Sequence, residues 1–141
     1  MNAVYELRRA YAKLPADTPV RLAKPTSNLF RFRGRDAAAR LDVSAFASVI
    51  SVDPDTRTAE VGGMTTYEDL VAVTLRHGLM PLVVPQLRTI TLGGAVTGLG
   101  IESSSFRNGL PHESVEEMEI LTGSGEVVVA RRDNEHRDLF Y

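Results

Sequence analysis

Apolar positions near the start of the chain recur at helical spacing. They are Val4, Leu7, Tyr11 and Leu14. Residues three or four positions apart lie on one face of an α-helix, and Pro15, which follows the last of them, cannot continue a helix. The pattern predicts an amphipathic helix over 4–14, followed by a proline-rich loop over 15–28.

A second helical stretch has its own start and stop signals. Thr65 or Thr66 offers a hydroxyl that can cap a helix, and the acidic pair 68–69 stands in the first turn, where negative charge is favourable. Apolar residues follow, and Gly78 stands where helices commonly end in a left-handed residue. These signals predict a helix from the threonine pair to residue 77.

Short runs of β-branched and apolar residues predict the strands. Residues 49–52 and 58–61 flank a turn-type sequence, which predicts a β-hairpin. Residues 115–121 and 127–130 flank Thr122 to Gly125 in the same way and predict a second hairpin. The remaining predictions are strands at 29–33 and 41–44, a turn of helix through Phe46, an extended segment at 79–84, and the start of a helix or strand at 138–141.

Composition narrows the class of protein. The 141 residues suit one ordinary domain, and 43% hydrophobic with 24% charged residues is typical of globular proteins. The net charge is -2 and the basic residues are dispersed, so no nucleic-acid partner is expected. The sequence has no cysteine for a disulfide or a thiolate metal site. No apolar run approaches the roughly 18 residues of a membrane-spanning helix, and we expect the protein in the cytoplasm.

The segment from Gln86 to Gly109 concentrates glycines and hydroxyl side chains. Its glycines are 93, 94, 98, 100 and 109, and its hydroxyls are at 91, 97, 103, 104 and 105. Glycines let backbone approach a planar or anionic ligand, and hydroxyls supply hydrogen bonds, so a nucleotide cofactor is a natural occupant. Tight packing in a core is the alternative explanation of the glycines. The spacing matches neither the dinucleotide fingerprint nor a phosphate-binding loop.

This segment resembles the flavin-contacting segment of the vanillyl-alcohol-oxidase family. The similar residues are Thr91 to Gly94 and, most specifically, Gly100 to Ser105, which are closest to the sterol Δ24-reductase group. The likeness covers most of the chain. It implies an α+β, PCMH-type FAD-binding domain of two α+β subdomains, over 1–50 and 51–141, with the second incomplete. It also implies that the chain is the N-terminal part of a longer protein whose substrate or cap domain is absent.

The resemblance further implies a set of FAD contacts, in which backbone amides bind the pyrophosphate and small side chains let the flavin lie flat. Carried over by position, these contacts are Gln86, Thr91, Gly93, Gly94, Gly98, Leu99, Gly100, Ile101 and Ser103. In the first subdomain, Arg33, Gly34 and Arg35 stand where the family usually has a glycine-rich loop with a histidine. Solvated arginines are the alternative there. With no histidine in that loop and no cysteine, noncovalent FAD is expected.

The implied activity is that of an FAD-dependent oxidoreductase. The likeness to the sterol Δ24-reductase group favours hydride transfer that reduces a C=C bond of a lipid or sterol-like substrate. NAD(P)H is a candidate electron donor. Whether the intact protein associates with a membrane is left open. An FAD-dependent alcohol or sugar oxidase and a noncatalytic binding fragment are the alternatives. No catalytic residue is assigned and the oligomeric state is open, because the substrate-holding region is expected beyond the chain.

Other titratable residues add one open question. His77, His112 and His136 lack metal-ligand spacing, so no metal site is predicted, and the acidic cluster over 113–119 is interpreted as a solvated face. Glu102 lies inside the glycine-rich segment. A carboxylate there would shift the redox balance of a flavin or would cap backbone amides, and both roles remain open.

Overall fold

The computed structural model describes residues 2–24 and 38–141. The strand predicted at 29–33 and the predicted cofactor residues Arg33, Gly34 and Arg35 lie outside these ranges. Within the described residues, contacts group the chain into two compact units. One unit holds 2–23, 38–42 and 115–141, and the other holds residues 24 and 43–114. The predicted subdomain boundary at residue 50 stays a prediction.

Short strands and helices alternate along the described chain, which confirms the α+β class. The helices are α1 (Ala3–Tyr11), α2 (Tyr67–Thr74), α3 (Leu92–Thr97), α4 (Ser105–Asn108) and α5 (Arg137–Phe140). The strands are β1 (Val20–Ala23), β2 (Ala39–Asp42), β3 (Val49–Asp53), β4 (Thr58–Val61), β5 (Glu117–Leu121) and β6 (Val127–Arg131). Single 3-10 turns lie at Ser44–Phe46, Leu75–His77 and Pro111–Ser114. No helix of the described residues is long and apolar enough to cross a membrane.

The first unit contains two strand pairs and the two terminal helices. β1 and β2 pair in parallel, with Val20 opposite Ala39, and β5 and β6 form an antiparallel hairpin. α1 is tied to the turn of that hairpin, because the Tyr11 hydroxyl donates to the Gly123 carbonyl at 2.9 Å and the Arg8 Nε donates to the Gly125 carbonyl at 3.2 Å. These bonds join segments more than 100 residues apart in sequence.

The second unit contains the hairpin β3–β4 and helices α2 to α4. The Asp53 carboxylate accepts the amides of Asp55 and Thr56 in the hairpin turn, at 2.9 and 3.2 Å. This is the local bonding by which aspartate favours turns. The buried core is formed by Tyr67, Leu70 and Ala95. The core therefore joins α2 to the glycine-rich segment that forms α3.

Local signals located most elements correctly. The hairpins β3–β4 and β5–β6 are confirmed, as is the helix with Thr66 as its cap and Gly78 at a left-handed φ of 69°. The first helix ends at Tyr11, three residues before the predicted end. The loop prediction over 15–28 is wrong at β1, because those four residues become a strand only by pairing with β2. The predicted extended segment over 79–84 contains Pro81, precedes Pro85 and forms neither helix nor strand.

Candidate functional site

The glycine-rich segment is held against the start of α2. The amide of Tyr67 donates to the Ile90 carbonyl at 3.0 Å, and the amide of Leu92 donates to the Thr65 carbonyl at 2.9 Å. Between them, Thr91 is buried and caps α3, because its hydroxyl accepts the Gly94 amide at 3.2 Å. Thr91 is therefore a structural cap. Its predicted contact with FAD stays a prediction.

Gly93 lies where α3 touches the loop before α2. Its amide donates to the Gly63 carbonyl at 2.8 Å, and a Cβ built on Gly93 would stand 2.8 Å from the same oxygen. Carbon atoms do not approach a carbonyl oxygen so closely without displacing backbone. The packing explanation of the glycines therefore holds at this position, and it leaves the predicted contact of Gly93 with FAD as a prediction.

The other glycines of the segment differ in the space around their Cα atoms. A Cβ on Gly100 would meet only ordinary contacts at 3.6 Å, and a Cβ on Gly94 would meet the Thr91 hydroxyl at 3.0 Å. Gly98 follows the last turn of α3, where a Cβ would approach the Gly94 carbonyl at 2.8 Å. Packing thus explains Gly98 as well as Gly93. It does not explain Gly100.

Most backbone amides of residues 93–103, called the glycine run below, already have hydrogen-bond partners within the protein. Those of Gly93, Gly94, Gly98, Leu99 and Gly100 donate to Gly63, Thr91, Gly94, Val96 and Ala95, in that order, at 2.8 to 3.3 Å. The amides of Ile101 and Ser103 donate no hydrogen bond to another described residue. In the glycine run, the donors that remain available to a ligand are therefore these two amides and not the amides of the glycines.

The turn after α3 exposes apolar side chains and holds an unusual backbone conformation. Leu99 has a φ of 48°, which side-chain-bearing residues rarely adopt. Leu99 is 57% exposed and Ile101 is 76% exposed. Sparsely populated backbone conformations cost on the order of 1 kcal/mol and concentrate at ligand-binding sites. Residues 99–101 therefore present an apolar surface next to free amides.

A cleft of about 170 Å³ opens beside this turn, lined by Val84, Gln86, Glu102 and Ser103. The Glu102 carboxylate accepts the Gln86 amide at 3.2 Å, and the Glu102 amide donates to the Ser105 hydroxyl at 3.0 Å. Two of the predicted cofactor residues, Gln86 and Ser103, therefore meet in one cleft. The sequence did not assign Glu102 to the site, because only the fold shows that its carboxylate reaches residue 86.

Tyr67 lies in the core of the same unit and is only 2% exposed. Burial raises the pKa of its hydroxyl above the usual 10.0, and the negative charge of Glu102 raises this pKa further. Both causes favour the neutral phenol. The negative charge of Glu102 in the cleft therefore affects the protonation of Tyr67, a core residue packed with the glycine-rich segment.

The raised pKa of Tyr67 predicts a loss of stability in alkali. Below pH 10.0 the phenol is neutral in both the folded and the unfolded chain, and its contribution is fully present. As the pH rises above that value, the unfolded chain releases the proton more readily, so the folded state loses stability. We expect the melting temperature to fall less steeply above pH 10.0 in Tyr67→Phe than in the wild type, as measured by thermal unfolding monitored by circular dichroism. Parallel pH profiles for the two proteins would contradict this expectation.

The site has the chemical features that a flavin requires. A flavin is a flat ring with an apolar benzenoid end and a polar pyrimidine end. The exposed side chains of Leu99 and Ile101 match the first, and the cleft with Gln86, Glu102 and Ser103 matches the second. The residues present therefore fit FAD.

Comparison with known families agrees with this fit. The model of a family described as FAD binding domain matches residues 5–131, which is most of the chain. No curated protein gives a match. The match includes the hairpin β3–β4, helix α2, the whole glycine-rich segment and the hairpin β5–β6. The chain belongs to the FAD binding domain family, and FAD is the cofactor of that family.

Proposed function

We propose that the chain is the FAD-binding portion of an FAD-dependent oxidoreductase that transfers hydride to or from a lipid or sterol-like substrate, in the direction of C=C reduction. The observation that supports the oxidoreductase function is the family match over residues 5–131. The likeness of Gly100 to Ser105 to the sterol Δ24-reductase group supports the substrate class and NAD(P)H as the electron donor. FAD is held noncovalently, since the chain has no cysteine and no histidine among residues 33–35.

The described residues bind and orient the cofactor. The amides of Ile101 and Ser103 would donate hydrogen bonds to it, and the exposed side chain of Ile101 would pack on its ring. FAD itself supplies the ring that accepts or gives the hydride. The part that we assign to the described residues is cofactor binding and not substrate choice.

The test of this proposal is FAD binding by the chain and by Gly94→Leu. A leucine at the exposed Gly94 adds a large side chain beside the capping hydroxyl of Thr91. We expect equilibrium dialysis to show binding by the wild type, with flavin absorbance bands near about 370 and 450 nm, and a loss of binding of about tenfold or more in the variant.

The matched control is Gly123→Leu. Gly123 lies in the turn of the hairpin β5–β6, and a Cβ there meets no atom within 4 Å. This variant should bind FAD as the wild type does. A wild-type Kd weaker than about 1 mM would overturn the proposed function, because the chain would then lack useful affinity for its cofactor. Equal losses in the two variants would also overturn the assignment of the site.

A further inference from the structure

The Glu102 carboxylate is the one anionic group that lines the described cleft. We infer that Glu102 accepts a hydrogen bond from the imide N–H of the flavin pyrimidine ring and thereby orients that ring in the cleft. The inference rests on the proposed function, since it names a group of the same cofactor. It assigns to Glu102 the role of a cofactor-binding residue.

One hydrogen bond holds this carboxylate, and a second holds the backbone that carries it. One oxygen, Oε2, accepts the Gln86 amide at 3.2 Å, and the backbone amide of Glu102 is held by the Ser105 hydroxyl at 3.0 Å. An ionised carboxylate has about four acceptor sites. One protein amide therefore leaves acceptor capacity on a side chain whose conformation is already set. Such preorganisation lowers the entropic cost of binding a ligand.

The remaining groups of the cleft complement an imide edge. The flavin pyrimidine edge presents an acceptor, a donor and a second acceptor in a row. The cleft offers the Glu102 carboxylate as an acceptor, and Gln86 and Ser103 beside it both carry side-chain donors. The same carboxylate repels anions, so the cleft does not suit the pyrophosphate of FAD. The charges therefore favour the neutral pyrimidine end of the cofactor in this cleft.

A carboxylate at this place would also affect the redox chemistry. Negative charge beside the ring opposes the addition of electrons to it. Loss of that charge should therefore make the midpoint potential of bound flavin more positive. A purely structural role of Glu102, through its bond to Gln86, would not predict a shift in this direction.

The experiment compares FAD with 3-methyl-FAD, in which a methyl group replaces the imide proton. Binding of each is titrated by flavin fluorescence to the wild type and to Glu102→Gln, which keeps the shape and removes the charge. We expect the wild type to prefer FAD by about tenfold, the usual size of a hydrogen bond to a charged group. In Glu102→Gln this preference should shrink at least threefold, because only FAD loses the charged acceptor. The midpoint potential of the bound flavin should rise.

Glu113→Gln is the matched control. The Glu113 carboxylate also accepts a backbone amide, that of Leu110 at 2.6 Å, but Glu113 does not line the cleft. This variant should keep the wild-type preference for FAD over 3-methyl-FAD and the wild-type potential. An equal change in both variants would overturn the inference, because it would indicate loss of structure near the turn.

Two further outcomes separate the inference from its premise. If Glu102→Gln weakens FAD and 3-methyl-FAD by the same factor, the carboxylate binds a ribityl or ribose hydroxyl, and the imide assignment is overturned. If Glu102→Gln binds both cofactors as the wild type does, the inference is also overturned while the proposed function stands. If the wild type binds no FAD, the proposed function fails first, and the inference fails with it.

Discussion

Tyr67→Ala should lower the free energy of unfolding by about 3–5 kcal/mol, the range found for removal of a buried aromatic ring. Tyr67 is almost fully buried and packs with Leu70 and Ala95, and partly buried side chains surround this cluster. The surrounding side chains are Val49, Val61, Val84, Ile90 and Leu92. The cluster that contains this ring thus contacts the hairpin β3–β4 and the glycine-rich segment. Removal of the ring leaves a cavity in this cluster, and urea unfolding followed by circular dichroism measures the loss.

Tyr67→Phe is the control for this prediction. It keeps the buried ring and removes only the hydroxyl. The free energy of unfolding of Tyr67→Phe should stay within about 1 kcal/mol of the wild type at neutral pH. A loss as large in the phenylalanine variant as in the alanine variant would show that the hydroxyl, and not the packing of the ring, stabilises the unit.

Gly93→Ala should lower the free energy of unfolding by about 1–3 kcal/mol, the usual cost of an added methyl group in a tightly packed place. The new Cβ would lie 2.8 Å from the Gly63 carbonyl oxygen, which also accepts the Gly93 amide. Since this neighbour is backbone, it cannot move without shifting the start of α2 or of α3. Chemical denaturation measures the change in stability.

Gly63→Ala tests whether the loss of stability in Gly93→Ala comes from the clash between the new Cβ and the Gly63 carbonyl oxygen. A Cβ on Gly63 meets no atom within 4 Å, although its carbonyl forms the same contact with Gly93. The alanine at 63 should therefore change the stability much less than the alanine at 93. Equal stability of Gly93→Ala and the wild type would contradict the packing role of Gly93. Contact with the cofactor would then be the remaining explanation of a glycine at this position.

The candidate site could be predicted in part from the sequence. The concentration of glycines and hydroxyls marked the segment, and the likeness of Gly100 to Ser105 to a flavin family indicated the cofactor, in agreement with the family match. The sequence did not separate the glycines required by packing, such as Gly93, from those with free space, such as Gly100. That difference depends on which backbone lies opposite each Cα, and only the folded chain contains that information.

The sequence by itself determined the elements that local bonds stabilise. Helix α2 follows from its Thr66 cap and its Gly78 stop, and the hairpin β3–β4 follows from the turn at Asp53. In each case the partners lie within a few residues of one another, so their types and spacing are visible in the sequence.

Only the tertiary structure decided the features that join distant residues. Val20–Ala23 becomes a strand because Ala39–Asp42 lies beside it, and Gln86 and Glu102 line one cleft although they are 16 positions apart in the sequence. Pairings of this kind depend on the path of the whole chain, and no short pattern specifies them. The role of Glu102 is therefore a property of the fold, although the likeness to a flavin family is a property of the sequence.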